Sequence, residues 1–295
     1  MRPGGSDRDD AAGLLGTPFR RARFRAAVHY VCWVCEDPRA LGARRLGLVL
    51  WYAERNLHLR RGSPLSGATY VRHHAGPRPR PLEAQLRELE RDGLLARRPG
   101  GGGDGPDLLF ALAPPDLGRL GAEEVAELEA AARGVCLDAR ARVPRRAAHD
   151  AVWRAALIGE TLPYCTACAG RGAELLPADV RWAAREAEAG PAPGGGARVA
   201  GLGRHARGRE AAEALLWHLR RDPALGLSLA AGEGSWFAYK QAGAAEGGVP
   251  EAAAVYRLEL DELLPAAVRV GPAPDEDGLG DEPGDEPGDE PGDEG

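Results

Sequence analysis

The sequence predicts a mainly α-helical domain with a small β-hairpin, followed by a small α+β domain and a disordered acidic tail. Apolar residues recur at helical spacing through much of residues 20–188. A segment of glycine and proline at 190–196 separates this part from a region where short extended segments follow one helix. The end of the chain repeats Gly-Asp-Glu-Pro from Gly280 and cannot bury apolar surface.

These features divide the chain into five segments. We expect a disordered leader at 1–19, the helical domain at 20–188, a linker at 189–199, the α+β domain at 200–270 and the disordered tail at 271–295.

Two amphipathic helices open the helical domain. The first is predicted at 20–35 and ends before Asp37-Pro38, with an apolar stripe made of Phe24, Ala27, Val28, Val31 and Cys35. The second is predicted at 43–60, with an apolar face made of Leu46, Val49, Leu50, Ala53 and Leu57.

A short extended piece at 69–72 and a proline-rich connector at 76–81 precede a third helix that carries Leu82, Leu86 and Leu89. Apolar segments at 94–96 and 108–112 flank a glycine run, which suits a hairpin. This order of elements is typical of a winged-helix-like unit. Further helices are predicted at 121–133, 146–158 and 177–188.

The C-terminal domain is predicted to begin with a helix at 207–221. Extended segments follow at 227–230, 235–240, 254–260 and 266–270.

Charge is distributed unevenly along the chain. The net charge is −6, and residues 271–295 hold eleven acidic side chains and no basic one, so residues 1–270 carry a formal charge of +5. A surplus this small is no phosphate-binding footprint, so nucleic acid is not an expected partner.

No stretch has the length and hydrophobicity of a signal peptide core or a membrane span, so we expect a cytoplasmic protein without a membrane partner. The chain has five cysteines, four of which form two CxxC pairs, Cys32 with Cys35 and Cys165 with Cys168. Four such thiols could hold zinc. The first pair lies on a predicted helix stripe, where cysteine behaves as a small hydrophobe, so we expect buried thiols and neither metal nor cofactor.

Several motifs resemble the SocA-like Panacea antitoxin domain. The run LVLWYAE at 48–54, then GATYV at 67–71 and AGPRP at 75–79, is similar to the family's LLYFAD, TGxxYV and GPVP segments, in the same order. Further on, His149, Trp153 and the segment GETLPY at 159–164 resemble its closing motif. The family's aspartate is Glu54 in this chain.

The resemblance implies an antitoxin that neutralises a toxin by direct binding, in one family member as an adaptor to a protease, and it implies no enzyme chemistry. Toxin-binding candidates on the matching positions are Trp51, Tyr52, Glu54, Tyr70, His149, Trp153 and Tyr164. The large aromatic side chains among them either fill a core or line a groove. His149, beside Asp150, also suits a helix cap or a core hydrogen bond.

The C-terminal domain resembles RelE/ParE-like toxins more loosely, in the helix that leads to Asp222-Pro223 and in strands around Tyr239 and Arg257. The toxin could then act in trans or be this chain's own C-terminal domain, in a degenerate form. The resemblance implies RNA-contact candidates at Tyr239, Lys240 and Arg257.

Two alternatives remain open from the sequence. One is a winged-helix-like DNA-binding regulator, suggested by arginines at Arg78, Arg80, Arg87 and Arg91. The other is an antitoxin fused to an active ribonuclease, an mRNA endonuclease-like domain at 200–270.

Overall fold

The computed structural model describes residues 17–35, 41–74, 76–100, 105–136, 151–169, 172–193, 196–230, 235–260 and 262–274. The expectations for the leader before residue 17, for the tail after residue 274 and for His149 lie outside these residues. Within them the chain is α+β, with helices packed on three sheets.

Five helices form the first part of the chain, close to where the apolar periodicity predicts them. They are α1 (Arg21–Val34), α2 (Ala43–Arg61), α3 (Leu82–Arg91), α4 (Ala122–Cys136) and the short α5 (Ala151–Ala155). Helix α2 is central, since it packs against both α1 and α4. It ends at Gly62, whose φ of +73° favours glycine.

A three-stranded antiparallel sheet lies beside α2, in the order β2-β1-β5. The strands are β1 (Tyr70–His73), β2 (Gly76–Pro79) and β5 (Thr161–Leu162). We predicted a connector at 76–81, and the structure corrects this because residues 76–79 form a strand. Prolines 77 and 79 donate no hydrogen bond, which an edge strand tolerates.

The predicted hairpin is confirmed. Strands β3 (Leu95–Gly100) and β4 (Gly105–Ala111) pair antiparallel after α3, and the glycines at its tip lie outside the described residues. Together with the three-stranded sheet, the hairpin gives the first domain more β-structure than the single hairpin that the sequence predicts.

A five-stranded sheet forms the second part, in the order β6-β10-β9-β8-β7. Only the pair β6 with β10 is parallel among the described strands. The strands are β6 (Arg198–Ala200), β7 (Leu227–Leu229), β8 (Trp236–Gln241), β9 (Ala252–Glu259) and β10 (Glu262–Val270).

A helix covers each face of this sheet. Helix α6 (Pro177–Ala189) packs Trp182 and Ala183 on the face that carries Trp236. Helix α7 (Gly208–Leu219) packs on the opposite face, which carries Tyr256. Since successive side chains of a strand alternate between faces, each strand contributes to both layers.

This packing changes the place of α6 in the fold. We predicted that 177–188 belongs to the helical domain and that 189–199 links two domains. The helix instead packs on the second sheet, and β6 begins within the expected linker and pairs with β10. The predicted linker therefore joins two elements of the same part of the molecule.

The two parts touch through α7. Its Trp217 packs into the core of the first part, while Ala211 and Leu215 pack into the second. In the described residues, no helix has the length and apolarity needed to cross a lipid bilayer.

Helix α6 should be required for the stability of the second sheet. Trp182 is 6% exposed and stacks under the Arg269 guanidinium at 4.9 Å. We expect Trp182→Ala to lower the free energy of unfolding by about 3–5 kcal/mol. The matched control is Val180→Ala on the same helix, 42% exposed, which should change it by less than about 0.5 kcal/mol. Urea denaturation measures both, and equal effects would contradict this role of α6.

Candidate functional site

The motif segments, distant in sequence, meet around strand β1. This strand pairs with β2 on one side and β5 on the other, which brings residues 70–73, 76–79 and 161–162 together. Gly67, just before β1, has a φ of +72°, and a Cβ there would lie 3.0 Å from the Pro18 carbonyl oxygen. A glycine is therefore required at this turn.

Three motif aromatics form one cluster behind the sheet. The centroid of the Trp51 ring lies 5.0 Å from the centroid of the Tyr70 ring and 6.3 Å from that of the Tyr164 ring. Trp51 is 0% and Tyr70 1% exposed, so both belong to the core and do not line a groove. Tyr164 is half-buried and donates its hydroxyl to the Ala68 carbonyl oxygen at 2.7 Å. Burial raises the pKa of both tyrosines well above the usual value.

Glu54 is also a core residue, because its side chain is buried beneath the turn before β1. It accepts hydrogen bonds from the Ser66 backbone N–H at 2.9 Å and from the Ser66 hydroxyl. Burial raises the pKa of Glu54, although the hydrogen bonds from residues 65–67 oppose this rise. The acidic residue of the motif therefore has a structural role, which is to hold the turn before β1, and its side chain is not available to a partner.

The remaining aromatic candidates are half-buried. Tyr52 packs against the first core. Trp153 donates its indole N–H to the His73 carbonyl oxygen at 3.3 Å and lies under the Arg72 guanidinium at 4.8 Å. Trp153 thus lies in α5, directly before the turn that follows this helix.

This turn, residues 157–160, presents two aliphatic side chains to solvent. Leu157 is 73% and Ile158 55% exposed. The backbone behind them is fixed to β1, since the Gly159 N–H donates to the Arg72 carbonyl oxygen and the Arg72 N–H to the Glu160 carbonyl oxygen, both at 2.8 Å. The Arg72 guanidinium also donates to the Ala156 carbonyl oxygen at 2.6 Å.

An ion pair holds the turn to the second part of the chain. The Glu160 carboxylate pairs with Arg221, and it also accepts from the Leu157 N–H at 2.7 Å. Arg221 in turn lies 3.9 Å above the Trp217 ring and donates to the Trp217 carbonyl oxygen at 2.8 Å. The turn is therefore a rigid support for its two exposed side chains.

The sequence indicates Trp153 as a site candidate and places Glu160 in a motif segment, but it does not indicate Leu157, Ile158 or Arg221. A signal for the first two exists in the chain, because two large aliphatic residues directly before a glycine turn break the polar character expected of a loop. No local pattern marks Arg221 as the partner of Glu160, which lies 61 residues earlier.

The predicted RNA-contact residues have structural partners instead. Lys240 is 6% exposed and pairs with Asp179 at 3.0 Å and Glu251 at 3.2 Å. Tyr239 is 7% exposed, on the face covered by α7. Neither is available to RNA in this arrangement. Arg257 is half-buried and pairs with Glu259 at 2.6 Å.

Asp179 explains why a lysine can be buried in the sheet. Its carboxylate contacts Lys240 and Arg269 and accepts from the Leu176 N–H at 2.9 Å. Burial alone would raise the pKa of Asp179, but hydrogen bonds and the two cations hold it below the usual value.

The two CxxC pairs do not meet among the described residues. Cys32 is buried in the first core, and the Cys35 sulfur lies 3.7 Å from the Cys136 sulfur. Cys165 and Cys168 are buried in a short 3-10 turn, Tyr164–Cys168, against α7. Cys168 contacts Arg207 and Glu210 there.

Comparisons of this chain with models of protein families, with curated proteins and with solved structures find no match.

The buried carboxyl group of Glu54 leads to a pH-dependent prediction. A raised pKa means that the fold favours the protonated acid, so its contribution to stability falls as pH rises above the unfolded value of about 4.3. Glu54→Gln keeps the side-chain shape and does not titrate. Its stability relative to the natural chain should therefore rise with pH, by at most about 1.4 kcal/mol per pH unit.

Two further variants make the test specific. Glu54→Ala removes both acceptors of Ser66 and should destabilise by about 3 kcal/mol at neutral pH. Glu123→Gln is the exposed control, with a side chain that is 55% exposed, and it should change the free energy of unfolding by less than about 1 kcal/mol. Denaturation curves between pH 4 and pH 9 measure these differences, and an invariant gap for Glu54→Gln would disprove the assignment.

Proposed function

We propose that the first part of this chain is an antitoxin-type module that binds a protein toxin through the rigid turn at 157–160. One observation carries the proposal. The motif segments that resemble the SocA-like Panacea domain, separated by about 100 residues, pack together around β1 and lead directly into this turn. The same contacts that make the motif residues structural also position Leu157 and Ile158 at the surface.

The turn has the properties of a binding contact. Burying the exposed surface of two aliphatic side chains is favourable by about 25 cal/mol for each Å² removed from water. A fixed backbone lowers the entropy that is lost on binding. Trp153 and Arg72 lie beside the turn, and tryptophan and arginine are enriched among residues that dominate interface energies. The buried aromatics Trp51 and Tyr70 then support the site without touching the partner.

Variants of the turn test this function. We expect the double change Leu157→Ser with Ile158→Ser to reduce capture of a growth-inhibiting partner from cells of the source organism. When the variant chain and that partner are co-expressed, relief of growth inhibition should be reduced as well. Removing two apolar contacts should weaken binding by about 10- to 1,000-fold.

The matched control is Leu112→Ser, which alters a side chain that is 59% exposed at the end of the hairpin. It should bind and neutralise like the natural chain. Partner capture that survives in the double variant would locate the binding surface elsewhere, and a captured partner without toxicity would overturn the antitoxin function.

A second candidate, in which the partner is the chain's own C-terminal part, is favoured by the position of α6. This helix covers the face of the sheet that carries Lys240 and Arg269, and its Asp179 forms an ion pair with each of these cations. If the sheet is a toxin-like domain that is active once released, α6 occupies the surface from which cations would reach RNA phosphates.

Expression of two fragments tests this candidate. Residues 197–274 should slow growth, whereas residues 172–274, which retain α6, should not. Arg257→Ala in the shorter fragment should relieve the effect, since this arginine is the candidate cation that is not buried. Equal growth with either fragment would leave the C-terminal part a structural unit of the binding module.

The DNA-binding alternative is less well supported. Two of its arginines already contact carboxylates on their own helix or at its end, Arg87 with Glu83 at 3.4 Å and Arg91 with Asp92 at 3.6 Å. Local pairing of this kind reduces the positive field that a winged helix needs to hold a phosphate backbone.

A further inference from the structure

Three potential metal ligands from separate segments meet where the two parts of the chain touch. His58 comes from the last turn of α2, Cys168 from the end of the 3-10 turn, and Glu210 from the first turn of α7. One ligand atom from each lies within 4.8 Å of the other two. His58 is 3% and Cys168 1% exposed, so the cluster is closed from bulk water on these sides.

The spacing suits a transition metal. A tetrahedral zinc ion about 2.0–2.3 Å from each ligand places the ligand atoms about 3.3–3.8 Å apart. Here the Glu210 Oε2 lies 3.1 Å from the His58 Nε2 and 3.4 Å from the Cys168 Sγ. Small side-chain rotations would bring the three atoms to the distances of a metal site.

A second observation points to a ligand. Among the described residues, neither ring nitrogen of His58 makes a hydrogen bond of good geometry, although the residue is buried. An unsatisfied buried polar atom costs about 1–3 kcal/mol. The Nε2 nevertheless faces the Glu210 carboxylate at 3.1 Å. A metal ion between them would satisfy this nitrogen as neutral imidazole commonly does.

We propose that His58, Cys168 and Glu210 bind one Zn²⁺ ion, with a fourth position left for water. The chemistry of the donor set selects this class of metal, because thiolate and imidazole favour zinc over magnesium and calcium. On binding, the Cys168 thiol gives its proton to solvent and coordinates as the thiolate. The site is independent of the antitoxin function proposed above.

Arg207 has a defined role beside the metal. Its guanidinium contacts the Cys168 sulfur at 3.2 Å and the Glu210 carboxylate, and it donates to the carbonyl oxygens of Leu59 and Gly247. These two carbonyl bonds anchor it next to the site. A bound ion would replace Arg207 as the partner of the Glu210 Oε2, while the two carbonyl bonds would keep the guanidinium beside the site, where it could still contact the ligands.

The ion would join both parts of the molecule. His58 belongs to the central helix of the first part and Glu210 to the helix that covers the second sheet. A metal that binds the folded chain better than the unfolded one stabilises it by mass action. Zinc should therefore raise the melting temperature of the full chain.

The test uses the full chain after treatment with a chelator. We expect one equivalent of Zn²⁺ by elemental analysis and titration calorimetry, a higher melting temperature with zinc, and thiolate-to-metal charge-transfer absorption when Co²⁺ is added instead. Cys168→Ser should remove the absorption and weaken zinc binding by more than about 100-fold, since even loss of a residue that only orients a ligand weakens binding 10- to 100-fold.

Matched controls separate this site from other thiols. Cys165→Ser changes a buried cysteine of the same 3-10 turn, and Cys35→Ser changes the cysteine beside Cys136. Both should keep the affinity and the cobalt absorption. Glu210→Gln should weaken binding in a chain that still folds, judged by circular dichroism. The absence of cobalt absorption in the natural chain, or an equal loss in Cys165→Ser, would overturn the proposal.

Discussion

The burial of helix α2 is the constraint on which the rest of the structure depends. Leu46, Val49, Trp51 and Leu57 are each at most 1% exposed although they point in different directions from the helix axis. Neighbours must therefore cover nearly its whole circumference, and α1, α4 and the sheet around β1 do so. The two polar side chains that this helix buries, Glu54 and His58, must therefore find partners inside the protein.

Its polar residues accordingly organise what lies around them. Glu54 fixes the turn before β1 through Ser66. Asn56 and Arg60 both donate to Glu127 of α4, at 2.7 Å and 2.6 Å. His58 contacts Glu210 of α7 in the same way, and Glu210 also pairs with Arg207. Burial lowers the tendency of Glu210 to ionise, but the contacts of His58 and Arg207 outweigh it and lower the pKa to about 2.

The sequence predicts the elements whose signal is local. Helices α1 to α4 follow from apolar periodicity, and the hairpin of β3 and β4 follows from two apolar segments that flank a glycine run. Each of these signals lies within the element it predicts. Strands β2, β5 and β6 do not, because they are short or rich in proline and exist only through pairing with distant strands. The assignment of α6 to the helical domain was wrong for the same reason, because the sequence of an amphipathic helix does not show which sheet the helix covers.

The candidate site divides in the same way. The motif identifies Trp51, Tyr70 and Tyr164 as important, but an amphipathic aromatic fits a core as well as a groove, and only tertiary packing separates the two. The isolated lysine in the sheet gives no hint of Asp179, 61 residues earlier. The cluster of His58, Cys168 and Glu210 combines three segments spread over about 150 residues, and two of its members are outside any CxxC pattern.

Helix α7 connects these local arrangements, because it contacts both parts of the molecule. Its Trp217 fills the first core, and the following Arg221 pairs with Glu160 under the exposed turn. At the other end of the helix, Arg207 and Glu210 hold the last turn of α2. A partner that displaced the turn at 157–160 would have to break the Arg221 pair, which is partly buried and costly to leave without a counter-charge. The apolar face of the same helix packs on the second sheet, so its first turn, which carries Glu210, is held against that sheet as well.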